Sequence, residues 1–151
     1  MGVNLLGLME EALHEADRAF HRGEVPVGAV LADGTGRIIA TARNGTIELN
    51  DPTAHAEILV LRQGAVVREN YRLNDCILVS TVEPCLMCMG AMIHARISHL
   101  AFGAPDPRWG AAGSLYDIPS DPRLNHRLAV TSGICEDECR KLMQDFFRMR
   151  R

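Results

Sequence analysis

Two short stretches constrain this chain more than anything else in it: Pro52-Thr53-Ala54-His55-Ala56-Glu57 and Val82-Glu83-Pro84-Cys85-Leu86-Met87-Cys88. A histidine and a C-x-x-C pair supply three borderline-to-soft ligands, a good set for Zn²⁺. Three protein ligands leave the fourth tetrahedral position open, the pattern of a catalytic rather than a structural zinc. Cys85 and Cys88 stand at i, i+3 on a predicted helix, so their sulfurs share one face. Pro84 suits the first helical position, where its missing N–H would be unpaired anyway. His55 and Cys85 then both fall in the first turn of a helix, and the positive dipole ends favour thiolate over thiol. Glu57 is too close to His55 along the chain to bind the same ion from a helix. It is placed to reach a metal-bound water, whose pKa zinc lowers to about 7. Taken alone, the C-x-x-C reads equally as a redox pair or core thiols, and the histidine as a core residue. Taken together, the residues point to a zinc hydrolase with a glutamate general acid/base.

The rest of the chain supplies a frame for that site. Leu5, Leu6, Met9, Leu13, Ala16 and Phe20 recur at helical spacing and predict an amphipathic helix ending at Gly23. Val25 to Ala32 and Arg37 to Ala42 read as strands, joined by the hairpin signal Asp33-Gly34-Thr35-Gly36. Thr53 to about Val67 reads as a helix, Cys76 to Thr81 as a buried strand, Cys85 to about Ala95 as a helix, and Ile97 to Phe102 as a strand. Gly103 to Asn125 is the longest irregular stretch, and loops of that size in a compact domain tend to be functional. Arg127 to Thr131 is a short strand candidate and Cys135 to about Met149 a terminal helix. This order predicts an α/β fold, a three-layer α/β/α sandwich around a mixed sheet of about five strands.

A length of 151 residues fits a single domain, residues 1–151, and 47% hydrophobic with 23% charged residues is ordinary for a globular protein. The formal net charge of −3 does not announce a nucleic-acid binder, so a polyanion site would be a local patch. Of the 16 basic residues only Lys141 is lysine, a compositional bias first, although arginine's planar fork also suits phosphates and bases. The start of the chain lacks the basic and apolar regions of a signal peptide, and no apolar run approaches the ~20 residues of a membrane span. Five cysteines, an odd number, fit a reducing compartment. The expectation is a cytoplasmic protein with no membrane contact.

His55-Ala56-Glu57 with Pro84-Cys85-x-x-Cys88 resembles the signature known for the zinc-dependent nucleobase deaminases. Further blocks resemble the bacterial tRNA-specific adenosine deaminases of the cytidine/deoxycytidylate deaminase superfamily. They are Arg43-Asn44, Asp51 to Ile58, Met89 to His94, Gly110-Ala111-Ala112-Gly113-Ser114, Leu124-Asn125-His126-Arg127 and Asp145-Phe146-Phe147-Arg148. The resemblance runs from about Glu24 to Arg151, and the Gly-Ala-Ala-Gly-Ser and Asn-His blocks favour the tRNA enzymes over their cytidine and guanine relatives. It implies a homodimer with one Zn²⁺ per chain, acting on the tRNA anticodon arm and converting the wobble adenosine to inosine. Carried onto this sequence, His55, Cys85 and Cys88 hold zinc and zinc-bound water attacks C6 of the flipped adenine. Glu57 protonates N1 and assists departure of the amino group, Asn44 hydrogen-bonds the base, and backbone near Ala56 and Pro84 lines the pocket. Asp106, Arg108 and Trp109 in the long loop, with Asn125, His126, Phe147 and Arg150, form the expected RNA surface. Trp109 either stacks a base or pins the loop as an apolar anchor. The segment Ala104-Pro105-Asp106-Pro107-Arg108-Trp109 departs from the family pattern, its two prolines stiffening the loop.

The remaining candidates have plainer readings. Cys135 and Cys139 are i, i+4 on the terminal helix, but no histidine pair accompanies them and the acidic Glu136-Asp137-Glu138 between them points to a solvated face, so they read as core or half-buried rather than as a metal site. Cys76 reads as core, and His94 and His99 as structural. Of the adjacent Phe146 and Phe147, only one can face the core. Met87, Met89 and Met92 read as core or dimer-interface packing.

Overall fold

The structure is a computed structural model, described here for residues 2–150. Asn4 starts the first helix, α1 (Leu5–His21), its Oδ1 accepting the Gly7 N–H at 3.0 Å. The chain then enters β1 (Gly28–Ala32) later than its apolar run suggests. Pro26 has no N–H to give a ladder, and Val27 N–H turns back to Val25 O at 2.8 Å. A turn built on Asp33 Oδ1, which accepts the N–H groups of Thr35 and Arg37, leads into β2 (Ile38–Arg43). There follow α2 (Ala56–Arg68), β3 (Ile77–Val82), α3 (Leu86–Ala95), β4 (His99–Ala104), β5 (Ala129–Thr131) and α4 (Glu136–Met149).

The five strands lie in the order β2-β1-β3-β4-β5. β1 is antiparallel to both its neighbours, while β3, β4 and β5 run parallel, giving the mixed sheet the sequence predicts. Along β1 and β3, alternate side chains serve opposite faces. Ala29, Leu31 and Leu78 join the layer under α2 and α3 with Val60, Leu61, Met89 and Met92. Val30, Ala32, Ile77 and Val79 join the layer under α1 and α4 with Leu8, Met9, Ala12 and Cys139. Both faces are covered, as a parallel crossover arrangement requires, and the expected α/β/α sandwich results.

This topology places the ends of β2, β3, β4 and β5 along one edge of the sheet. Loops leaving that edge lie at the carboxyl ends of the strands, where open α/β sheets present their ligand sites. No helix among the described residues is long and apolar enough to cross a membrane.

α1 lies unusually close to the sheet at Gly28. A Cβ there would stand 2.0 Å from the Ala12 carbonyl oxygen and 2.6 Å from the Ala16 nitrogen, both backbone atoms within a packed helix. Neither can move without shifting α1. Gly28→Ala is expected to lower the unfolding free energy by about 3 kcal/mol or more, read as an earlier urea midpoint; an unchanged midpoint would contradict this packing.

Candidate active site

The stretch before α2 does not continue the helix back to Thr53, as its sequence suggests. Asp51 Oδ1 accepts the Thr53 N–H at 2.8 Å and the Thr53 hydroxyl at 2.7 Å, a local turn that competes with helix. Ala54 O then accepts the Gly45 N–H at 3.0 Å, tying the segment to the chain leaving β2. His55 is therefore the N-cap of α2, extended at φ −71°, ψ 149°. Cys85 is likewise the N-cap of α3, at φ −78°, ψ 177°. Pro84 precedes the cap instead of taking the first helical position. The cause is a short antiparallel bridge between Cys85 and Gly110, with Ala111 N–H donating to Pro84 O at 2.8 Å. Neither cap uses its side chain to satisfy its helix. Two uncapped helix N-termini thus meet at one point, and their partial positive charge falls on the ligand side chains.

His55 Nδ1 lies 3.6 Å from Cys85 Sγ and 3.5 Å from Cys88 Sγ, and the two sulfurs are 3.7 Å apart. A tetrahedral zinc with Zn–S about 2.3 Å and Zn–N about 2.0–2.1 Å sets edges of about 3.8 Å for S···S and 3.6 Å for S···N. The triangle therefore fits the ion to within about 0.1 Å on each edge. These three are the metal-competent group among the described residues.

The electrostatics favour the same conclusion. Without a cation the two thiols are driven in opposite directions. The hydrogen bond between the two sulfurs, with His55 beside it, pulls Cys85 down to about 4. That same hydrogen bond and burial push Cys88 up. His55 is raised, chiefly by its hydrogen bond to Cys85. A divalent cation accommodates both thiolates at once.

Glu57 sits in the first turn of α2, buried, beside Cys88 and within the field of His55 and Cys85. Burial pushes its carboxyl up to about 7, where a group can both take and give a proton at neutral pH. Asn44 follows β2 and is only 5% exposed, its N–H donating to Val27 O at 3.0 Å. Its side-chain amide has no hydrogen-bond partner among the described residues. Ala56 and Pro84 are buried beside the ligands.

The long loop is less free than its composition suggests. Asp106 Oδ1 accepts the N–H groups of Arg108 and Trp109 at 3.0 and 3.2 Å, so its carboxylate shapes the turn. Arg108 is exposed, and Trp109 is 69% exposed, which removes the apolar-anchor reading. Phe146 packs edge-on against Phe20, while Phe147 is exposed. Arg150 lies over the Phe146 ring and donates to Gly23 O at 2.6 Å. Asn125 and His126, at the far end of the stretch, lie beside the end of α3. Asn125 Oδ1 accepts from Arg96 at 3.4 Å, and His126 Nε2 is 2.7 Å from Ile97 O. His99 pairs with Thr131 Oγ1 at 2.8 Å, a structural role, while His94 is exposed. Cys76 and Cys139 are buried and Cys135 half-buried, all free thiols.

Sequence reading missed two buried carboxylates at this edge, Glu24 and Glu83. Glu83 Oε1 accepts the Asp106 N–H at 3.0 Å, and Oε2 accepts those of Ala112 and Ser114 at 2.9 and 3.0 Å. Glu24 accepts the N–H groups of Ile47 and Glu48 at 3.1 and 2.7 Å. Position beside Pro84-Cys85 was the only available signal for Glu83, and none marked Glu24.

With this geometry in hand, comparison with known proteins is specific. Residues 4–104 match the family described as the cytidine and deoxycytidylate deaminase zinc-binding region. The chain is 49% identical over 144 residues to the tRNA-specific adenosine deaminase of Haemophilus influenzae, covering 95% of this chain and 83% of that one. A structure solved under the heading "Biochemical and Structural Studies of A-to-I Editing by tRNA:A34 Deaminases at the Wobble Position of Transfer RNA" superposes with a TM-score of 0.87. Its identity is 46%, over 90% of this chain and 98% of that one. A guanine deaminase from Nitrosomonas europaea superposes with a TM-score of 0.79 at 23% identity, over 97% of this chain and 85% of that one, a likeness of fold alone.

The raised Glu57 has a consequence for stability in metal-free protein. Its pKa is about 7 folded against the usual 4.5, so the folded state binds a proton more tightly. Wild-type stability is then intact below the unfolded pKa and falls as pH rises through the folded one. Glu57→Gln, which mimics the protonated form, should be no more stable than wild type at pH 4. Its advantage should grow up to about pH 7 and hold constant above it. Urea unfolding across pH with a chelator present checks this; a pH-independent difference would contradict it.

Proposed function

The chain belongs to the cytidine and deoxycytidylate deaminase family, and within it to the tRNA-specific adenosine deaminases, and from that premise we infer that it hydrolyses the wobble adenosine of a tRNA anticodon to inosine, releasing ammonia. The observation that carries this reading is the His55–Cys85–Cys88 triangle, dimensioned for zinc, with buried Glu57 beside it. Zinc held there supplies Lewis-acid activation of water, lowering its pKa to about 7.

In this proposal Glu57 takes one proton of the attacking water and delivers it to N1 of the adenine, then takes the remaining proton from the oxygen newly bonded to C6 and passes it to the amino nitrogen as the C6–N bond breaks and ammonia leaves. Its burial and its pKa of about 7 suit both transfers. The unpartnered amide of Asn44 donates to or accepts from the base, since adenine offers ring nitrogens and an exocyclic amine. Backbone at Ala56 and Pro84 closes the pocket around the base. An anticodon loop suits this site because its bases are single-stranded and are splayed out at modest cost.

The tRNA anticodon arm would lie along the sheet edge. Exposed Trp109 offers a stacking face, Arg108 is free to reach phosphate, and exposed Phe147 lies three residues before Arg150, the C-cap of α4. Asp106 contributes by holding the turn that presents Arg108 and Trp109. Asn125 and His126, beside α3, would reach a more distant part of the arm. We further propose that the chain acts as a single domain over residues 1–151, with one zinc per chain, in the cytoplasm, and as a homodimer. The exposed apolar side chains of Tyr71, Leu86 and Met87, on and beside α3, support that pairing. Met89 and Met92 are core instead.

The direct test is inosine formation on a synthetic anticodon stem-loop carrying a wobble adenosine, beside free adenosine, cytidine and guanine. Conversion of the stem-loop alone is expected, and conversion of a free substrate alone would overturn the assignment. Glu57→Gln should retain zinc and lose activity by roughly 10²–10⁴-fold; retained turnover would remove Glu57 from the mechanism. Sedimentation should report twice the 16.6 kDa of one chain, with Met87→Glu shifting it to monomer.

A further inference from the structure

Glu24 and Glu83 share an arrangement that the chemistry at the metal cluster does not require. Glu24 is 1% exposed and Glu83 is 3% exposed, and neither forms an ion pair among the described residues. A buried carboxylate with no cation is retained only where hydrogen bonds compensate it. Here the compensation comes from loop backbone. Both oxygens of Glu83 accept, from the N–H groups of Asp106, Ala112 and Ser114 and from the Ser114 hydroxyl. Both oxygens of Glu24 accept, from Ile47 and Glu48. Converging backbone N–H groups form an anion-binding concavity, and in each case a side chain of the sheet edge fills it.

The two loops so held carry or follow the residues that the deaminase reading assigns to substrate. Glu24 fixes the turn that follows Asn44, and Glu83 fixes the loop carrying Asp106, Arg108 and Trp109. The fit at Glu83 is close enough that a Cβ at Gly110 would stand 2.3 Å from its Cδ. Gly110 in turn bridges Cys85, and Glu83 precedes Cys85 by two residues, so the same strand end leads to both a loop anchor and a metal-competent thiol.

We propose that Glu24 and Glu83 are positioning residues, each holding one substrate-binding loop over the metal cluster through its backbone amides while touching neither substrate nor metal. The assignment of those loops to substrate rests on the deaminase reading above. A carboxylate is required because every neighbour donates. A glutamine places an N–H₂ against amide N–H groups at one of its two positions, leaving at least one donor unpaired.

The test uses Glu83→Gln, Glu24→Gln and the milder Ser114→Ala, each as full-length zinc-loaded protein. Hydrogen exchange should quicken at Asp106, Ala112 and Ser114 in Glu83→Gln and leave Ile47 and Glu48 protected, with the reverse in Glu24→Gln. KM for the anticodon stem-loop should rise about tenfold to a hundredfold in each, with zinc content unchanged and kcat altered far less. Ser114→Ala, which removes one hydrogen bond from an exposed side chain, should move KM and loop exchange in the same direction by a smaller factor, and decides the matter at Glu83 if Glu83→Gln does not fold. Unchanged loop exchange, loss of zinc with KM unaltered, or loosening of both loops by either variant would overturn the proposal. A wild-type protein inactive on the stem-loop would overturn the deaminase reading instead, and the exchange data would still decide whether these carboxylates hold the loops.

Discussion

Two thiols held with an imidazole within 3.7 Å of one another cannot both ionise without a cation beside them. Much of the structure follows from keeping them there. His55 and Cys85 are the N-caps of two separate helices and Cys88 lies in the first turn of the second, so α2 and α3 must start at the same point on the same face of the sheet. That requirement explains the extended backbone at His55 and Cys85, the bridge that stops Pro84 from joining α3, and the local turn at Asp51 that delays α2. Each departs from the simplest continuation of the local sequence, and each brings a ligand atom into the triangle.

The sheet makes this convergence stable. β1 and β3 are buried on both faces, so the strand ends that launch the site loops are clamped by side chains from all four helices. Because β2 and β4 end at the same edge as β3, the chain leaving each is delivered to the cluster without a long excursion. The carboxyl of Glu57 inherits its burial from this packing. It lies on α2 one turn ahead of Leu61, which is part of the layer beneath that helix.

The legible and illegible parts divide along physical lines. Periodicity exposed the helices and the buried strands because burial imposes a repeat, of 3.6 residues or of two. The His55, Glu57, Cys85 and Cys88 set was legible because metal chemistry restricts residue type and spacing together. Helix starts were misplaced by one to three residues at Thr53 and Pro84, since an Asx turn and a bridge to Gly110 outweighed local propensity. Glu24 and Glu83 escaped notice because a carboxylate that binds loop amides has no periodicity and no partner residue type. What it recognises is backbone, and backbone is the same at every position. Trp109 stood between two readings that only its solvent exposure could separate.

The loop around Trp109 has a frame and a tip. Glu83, Ser114 and the Gly110 bridge fix the frame, whereas Pro107, Arg108 and Trp109 face solvent and make no side-chain hydrogen bonds among the described residues. Such a division lets selectivity drift independently of chemistry. Exchanging the few tip residues alters the surface presented beside the cluster, and the cost is not passed to the metal-competent residues or the core. A protein built this way is a ready scaffold for retargeting, because the part that must stay fixed and the part free to change are joined by backbone amides that any sequence provides.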